Sequence, residues 1–209
     1  MNRQAREHAQ NFMHQGERLI AACGYELGPG VPSPPEQLIP PAEPTALAQR
    51  IEDRIPGPLR RLLASHALDP RHSGPAAAAA AVDRLPHAVD DLGARMMHGT
   101  SMEGGWQSAA GRFLISRAGA RGSVQGVLAV TDRRWLALTD VSPLWRSTPV
   151  MKPYWEAPRA AVSALRANPK GLLQKGRMDI EFTDGSWVAV LATPAASAAP
   201  FAAAAAYHR

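Results

Sequence analysis

A tight turn between two short segments constrains the fold of this 209-residue chain more than any other feature of its sequence. Asp184-Gly185 separates residues 177–183 from residues 186–192, and apolar residues occupy every second position of the first segment. Such alternation is typical of a β-strand with one buried face. Asp-Gly favours a type I′ turn with a two-residue loop. The sequence therefore predicts an antiparallel hairpin closed at Asp184-Gly185.

The two-residue loop also predicts the register of this hairpin. Counting outward from the turn pairs Phe182 with Trp187, Ile180 with Ala189 and Met178 with Leu191. Because successive side chains of a strand point to opposite faces, these apolar residues would share one face and the charged residues between them the other. The alternation and the turn chemistry thus favour the same arrangement.

A second hairpin and several further strands are predicted around the first. Residues 126–131 and 134–139 would pair through the two-residue loop Asp132-Arg133, with Val130 opposite Trp135. Four more apolar segments are predicted strands, namely 17–27, 112–117, 154–157 and 161–166. The alanine-rich segment 198–208 is predicted to be a helix that covers the open face of the sheet.

The first half of the chain contains mainly helical and linker patterns. Apolar residues recur at helical spacing in residues 2–15, and again between residues 45 and 98, where prolines interrupt them. Seven prolines within residues 28–44 indicate an extended linker. The predicted organisation is an N-terminal helix and strand at 1–27, a linker at 28–44, a helical region at 45–111 and a β-domain at 112–209.

Three groups of residues give the chain a resemblance to a known family. They are residues 126–136 with the turn Thr131-Asp132-Arg133-Arg134, residues 155–158 followed by Gly171-Leu172-Leu173, and residues 180–186 with Phe182-Thr183-Asp184-Gly185. This order resembles the bacterial pleckstrin-homology-like (PH-like) and GRAM-like domains, in which a Thr-x-x-Arg turn joins two strands and a late strand ends in Phe-x-Asp-Gly.

The resemblance implies an α+β fold, a seven-stranded antiparallel and partly open barrel with a C-terminal helix, accompanied by a helical insert or an N-terminal helical region. Residues 17–27 would then be either the first barrel strand or part of a separate helical unit. The resemblance also implies a binding or regulatory module without a catalytic residue set.

The sequence lacks the common signatures of catalysis and metal binding. It contains no Gly-x-x-x-x-Gly-Lys-Ser/Thr loop, no His-Glu-x-x-His and no Cys-x-x-Cys. Its seven histidines are scattered singly, and its one cysteine, Cys23, lies in an apolar run. No segment reaches the ~20 apolar residues of a membrane-spanning helix. We therefore expect a cytoplasmic protein, peripheral at a membrane at most, with no enzymatic activity, cofactor, metal or disulfide.

Basic residues of the β-domain are the candidate binding residues. Residues 123–209 carry ten Lys/Arg against six Asp/Glu, so they hold most of the net charge of +5. Two arginines lie at one hairpin tip, and three cations surround an apolar pair in a loop. The predicted ligand-binding set is Arg133, Arg134, Lys170, Leu172, Leu173, Lys175 and Arg177. The two leucines would either enter a bilayer between the cations or pack under the sheet.

A second candidate contact lies in the loop that contains Trp145 and Arg146. An exposed tryptophan beside an arginine is typical of a partner contact, and packing of the loop is the alternative. The predicted partner is an anionic membrane surface or another protein. Self-assembly into an oligomeric scaffold is the rival hypothesis. Nucleic acid is disfavoured because the positive charge is sparse and lacks interleaved aromatic residues.

Overall fold

An antiparallel β-sheet organises the part of the chain that the computed structural model describes, residues 3–40, 99–120, 122–142, 148–170 and 174–207. These residues belong to one compact unit made of residues 1–40 and 98–209. The helices predicted between residues 45 and 98, as well as Trp145, Arg146, Leu172 and Leu173, lie outside the described residues.

The described residues form eight strands and three α-helices. The strands are β1 (Leu19–Leu27), β2 (Met102–Glu103), β3 (Gly126–Thr131), β4 (Arg134–Asp140), β5 (Met151–Pro158), β6 (Val162–Ala167), β7 (Arg177–Phe182) and β8 (Trp187–Thr193). The helices are α1 (Arg3–Gln10), α2 (Ala109–Gly119) and α3 (Ala198–Tyr207). None of these helices is long and apolar enough to cross a membrane.

Strand β1 occupies the centre of the sheet. The strand order is β5-β4-β3-β1-β8-β7-β6, and the short β2 pairs with the start of β8. Cys23 of β1 pairs with Leu128 of β3, and Glu26 pairs with Leu191 of β8. Of the two alternatives for residues 17–27, the structure therefore shows the one in which they contribute the first strand of the sheet.

The hairpin of β3 and β4 confirms the predicted pairing. Val130 lies opposite Trp135, and the loop between the strands contains the two residues Asp132 and Arg133. Every residue of β3 is buried. The predicted two-residue loop is therefore confirmed.

The register predicted for the hairpin of β7 and β8 is wrong by one residue. Ile180 lies opposite Val188 rather than Ala189. The Phe182 amide donates to the Ser186 carbonyl at 2.8 Å, so three residues rather than two form the loop. Gly185 has φ +82°, as expected for the left-handed residue of a three-residue hairpin loop.

The shift by one residue decides which side of β8 faces the core. Val188, Val190 and Ala192 pack with Ile180 in the main core. Trp187 lies half-buried on the other side, where its indole nitrogen donates to Glu103 at 2.9 Å. The actual register therefore buries three aliphatic side chains that the predicted register would have turned outward.

Substituting Gly185 tests this loop. A Cβ at residue 185 would meet no atom within 4 Å, so the cost of Gly185→Ala would arise from the positive φ alone. We expect a loss of about 1–2 kcal/mol in the free energy of unfolding, measured with urea. Asparagine tolerates this conformation, so Gly185→Asn should lose clearly less. Equal stability of the alanine variant and the wild type would contradict the left-handed conformation of Gly185 in this loop.

Residues 112–117, predicted as a strand, belong instead to helix α2. Phe113, Leu114 and Arg117 are buried on one side of this helix. Their separations of one, three and four residues place them on a common helical face. The strand prediction is wrong because the short apolar run fits both periodicities, and only the longer pattern around it distinguishes the helix.

The hairpin loop and the start of α2 hold each other in place. The Asp184 carboxylate accepts from the Ala109 amide at 2.7 Å, and the Ser186 hydroxyl accepts from the Ala110 amide at 3.1 Å. Ser108 is the N-cap residue. Hydrogen bonds from the Ser186 hydroxyl and the Ala109 amide hold the pKa of Asp184 below its ordinary value. These contacts satisfy amides that lack partners within the helix.

Helices cover both faces of the sheet. On one face lies α3, as predicted for the C-terminal segment, and its Phe201 meets Trp135 edge-on with ring centroids 6.4 Å apart. On the opposite face, Ala5 and Ala9 of α1 pack against a cluster that includes Leu136 and Leu138.

Candidate functional site

Lys170 and Lys175 lie exposed at the connection between β6 and β7. The Lys170 amide donates to the Gln174 carbonyl, and the Gln174 amide donates back to the Lys170 carbonyl, both at 3.2 Å. The two lysines therefore extend from a backbone that is held by hydrogen bonds. The intervening residues 171–173 lie outside the described residues.

Arg177, predicted as a surface cation, is fully buried at the start of β7, with 0% of its area exposed. Its guanidinium donates to Asp179 at 2.8 Å, to the side-chain oxygen of Gln174 at 2.8 Å and to the Thr100 carbonyl at 3.0 Å. Its guanidinium carbon also lies 5.7 Å from the centre of the Trp187 ring. The prediction that Arg177 is exposed is therefore wrong. Arg177 is an internal residue that joins Asp179, Gln174 and Thr100 by hydrogen bonds.

Arg134 is likewise turned inward, whereas Arg133 is exposed. The side chain of Arg134 is 11% exposed. Its Nε and Nη2 atoms donate to Glu17 at 2.8 and 3.0 Å, and its Nη1 atom donates to Glu156 at 2.5 Å. It reaches the Phe12 carbonyl at 2.7 Å as well. Arg134 therefore acts as an internal clamp, and Arg133 is the cation that faces solvent at this hairpin tip.

Thr131 belongs to the same hydrogen-bond network, which we call the Arg134 clamp and which consists of Arg134, Glu17, Glu156 and Thr131. Its hydroxyl accepts from the amides of Arg133 and Arg134 at 3.1 and 2.9 Å and donates to Glu17 at 2.7 Å. The side chain of Glu17 has 0% exposure. The Arg134 hydrogen bond, with the His14 amide and the Thr131 hydroxyl, lowers the pKa of Glu17 to about 2 despite the opposing effect of burial. The Thr-x-x-Arg sequence thus fastens the start of β1 to the β3–β4 hairpin.

The two basic groups lie at opposite ends of β6. Just before β6 begins, the Arg159 amide donates to the Arg133 carbonyl at 2.9 Å. Just after β6 ends, the Asn168 amide donates to the Arg177 carbonyl at 2.9 Å. A strand of six residues spans about 20 Å. The predicted ligand-binding set is therefore divided, with Lys170 at one end of this strand and Arg133 at the other.

Three described side chains of chemically reactive types are buried or form hydrogen bonds within the protein. Burial raises the pKa of the Cys23 thiol to about 12, which keeps it protonated and unreactive at neutral pH. Ser101 donates to the Pro29 carbonyl at 2.6 Å, and Glu103 accepts from Trp187. Among the described side chains, no three of His, Cys, Asp and Glu are grouped to hold a metal ion.

No protein-family model, curated protein or solved structure matches this chain. A groove with a volume of about 450 Å³ lies between α2 and the proline-containing segment that follows β1. We call it the Arg117 groove. Its walls are mostly apolar, with Arg117 as the charged member, and include Leu27, Val31, Ile39, Leu114, Ala118 and Val124.

Sequence reasoning missed this groove for two identifiable reasons. A strand at residues 112–117 does not place Leu114 and Arg117 on one helical face. A linker at the proline-rich residues 28–44 does not predict a wall of a groove. The available signal was the spacing of Leu114, Arg117 and Ala118, which places three residues on one side of a helix.

Proposed function

We propose that this chain is a non-catalytic binding module of PH-like design that binds an anionic membrane surface through Lys170 and Lys175. Seven main strands and a closing α3 match the inventory expected of that fold. The observation that supports the site best is the pair of exposed lysines at the β6–β7 connection, where the buried Arg177 donates to Gln174, which lies between them in the sequence. Exposed cations beside a hydrogen-bonded backbone can approach lipid headgroups without rearrangement of the sheet.

The expected binding is weak and sensitive to salt. Each lysine close to an anionic membrane contributes about 1 kcal/mol. Two lysines would therefore contribute roughly 2 kcal/mol, which corresponds to about 30-fold in affinity. Leu172 and Leu173 lie between the lysines in the sequence, and apolar side chains at this place would add to the attraction.

Charge reversal of both lysines tests the proposal. We expect Lys170→Glu with Lys175→Glu to lower binding to vesicles of one part phosphatidylserine and two parts phosphatidylcholine by about 30-fold or more. Both residues are exposed, so the circular dichroism spectrum should remain that of the wild type. Vesicle sedimentation at low and physiological salt provides the measurement.

Arg18→Glu with Arg133→Glu is the matched control, because it makes the same change in charge at exposed residues of the β3–β4 end. This variant should sediment with vesicles as the wild type does. If it alone lost binding, the site would lie at the β3–β4 end and the lysine assignment would be wrong. Binding of the wild type to an acidic protein but not to vesicles would also overturn the choice of a membrane partner.

The edge strand β5 does not favour self-assembly by strand pairing. Pro153 and Pro158 lie within it, and Lys152 is exposed on it. Prolines remove backbone donors, and charged residues oppose the approach of a second sheet. The scaffold hypothesis therefore gains no support from this edge.

A further inference from the structure

The Arg117 groove combines an apolar wall with a buried cation. Arg117 is 8% exposed. Its guanidinium donates to the Thr139 hydroxyl at 3.3 Å, to the Val124 carbonyl at 2.9 Å and to the Ser123 carbonyl. Within the described residues, no carboxylate forms an ion pair with it. A buried positive charge is costly when it is compensated only by neutral groups, so this site favours an anion.

The hydrogen-bonding capacity around Arg117 is incompletely used. A guanidinium has five N–H donors, and the three contacts above leave capacity for a further acceptor. Its carbon lies 5.5 Å from the centre of the Tyr154 ring. The hydroxyls of Tyr154 and Tyr25 are buried and have no hydrogen-bond partner among the described residues. Burial raises the pKa of Tyr25, and the nearby charge of Arg117 acts in the opposite direction, so this hydroxyl also lies in the field of the cation.

The groove walls favour an alkyl chain over a peptide. Apart from Arg117, Ser33 is the polar side chain among its lining residues. A bound peptide backbone would bury N–H and C=O groups that need partners, whereas an alkyl chain needs none. The volume of about 450 Å³ lies within the ~300–1,000 Å³ range of small-molecule sites. Val124, 74% exposed, adds an apolar side chain at the rim.

We propose that the Arg117 groove binds a single-chain fatty acid, with the carboxylate at Arg117 and the alkyl chain against Leu27, Val31, Ile39 and Leu114. The charge of the head group complements the buried cation, and the chain removes apolar wall from water. This site is separate from the lysines of the β6–β7 connection, and its occupancy does not depend on membrane binding.

Calorimetric titration with decanoate tests this assignment, with decanol and acetate as probes that carry the chain or the charge alone. Wild-type protein should bind decanoate at least ~10-fold more tightly than decanol, and acetate should show no measurable binding. Arg117→Gln should abolish the preference for decanoate over decanol. Equal affinity for decanoate and decanol, or no binding of decanoate, would overturn the proposal.

A second variant keeps the test decisive if Arg117→Gln fails to fold. Ala118→Phe fills the groove from α2 and leaves the guanidinium in place, so it should weaken both decanoate and decanol by at least ~10-fold. Ala203→Phe makes the same change at an exposed position of α3 and should bind as the wild type does. Unchanged binding by Ala118→Phe would place the ligand elsewhere and reject the site. Tighter binding of an apolar peptide through its terminal carboxylate than of decanoate would reject the fatty acid.

Discussion

Arg177→Met is expected to lower the free energy of unfolding by about 3–5 kcal/mol. Arg177 is fully buried and donates to Asp179, Gln174 and Thr100. Without it, the carboxylate of Asp179 would remain largely buried and lose its cation. Because typical domains are stable by only ~5–15 kcal/mol, this single substitution would remove a large share of the total. Urea denaturation at neutral pH provides the measurement.

Two companion variants separate the buried charge from general damage at the β6–β7 connection. Adding Asp179→Asn to Arg177→Met removes the uncompensated charge, and Asn168 already donates to Asp179 at 2.6 Å, so the double variant should recover part of the loss. Lys175→Met changes an exposed residue of the same segment and should alter stability by less than ~0.5 kcal/mol. An Arg177→Met protein as stable as Lys175→Met would contradict the buried role of Arg177.

Glu17→Gln is expected to have the second large effect, about 3 kcal/mol at neutral pH. The pKa of Glu17 falls from 4.5 to about 2 in the folded protein. Each unit of pKa corresponds to about 1.4 kcal/mol, so the folded state gains roughly 3 kcal/mol from the ionised carboxylate. Glutamine retains the shape of the side chain but loses the charge that faces Arg134.

The direction of the pH dependence follows from the lowered pKa. The stabilisation by Glu17 is fully present above pH 4.5 and is lost as the pH falls through about 2. The wild type and Glu17→Gln should therefore differ most at neutral pH and converge between pH 4.5 and 2. Carboxyls such as Asp184 titrate in both proteins, so the difference between the two stability curves isolates Glu17.

Glu7→Gln is the appropriate control for the Glu17 experiment. Glu7 pairs with Arg3 on the surface of α1, with side chains 58% and 93% exposed. Exposed pairs of this kind contribute at most a few tenths of a kcal/mol. Stability curves for Glu17→Gln and the wild type that stay parallel down to pH 2 would show that the Arg134 clamp does not stabilise the ionised carboxylate.

The β-hairpins show how far local sequence determines this fold. For β3 and β4, a short turn between two largely apolar segments predicted the observed pairing of Val130 with Trp135. For β7 and β8, Asp184-Gly185 is compatible with both a two-residue and a three-residue loop. The choice between them depends on burial of Val188 and Val190 in a core built by residues far away in the chain. Local turn chemistry contains no information about that burial.

The candidate site was less predictable because charge alone does not indicate exposure. Arg134 was identified as a cation, but its partner Glu17 lies 117 residues earlier in the chain. Arg177 reaches Thr100 across 77 residues. Such partners become neighbours only after the sheet has formed, so the sequence could not separate the internal arginines from the exposed Lys170 and Lys175.

The central position of β1 has a consequence for biosynthesis. One neighbour of this strand, β8, ends at Thr193, 166 residues after Leu27. At a ribosomal rate of ~5–20 residues per second, roughly 10–30 s separate the synthesis of the two strands. During that interval β1 can pair with β3 but not with β8, so the sheet can be completed only after residue 193 has been synthesised.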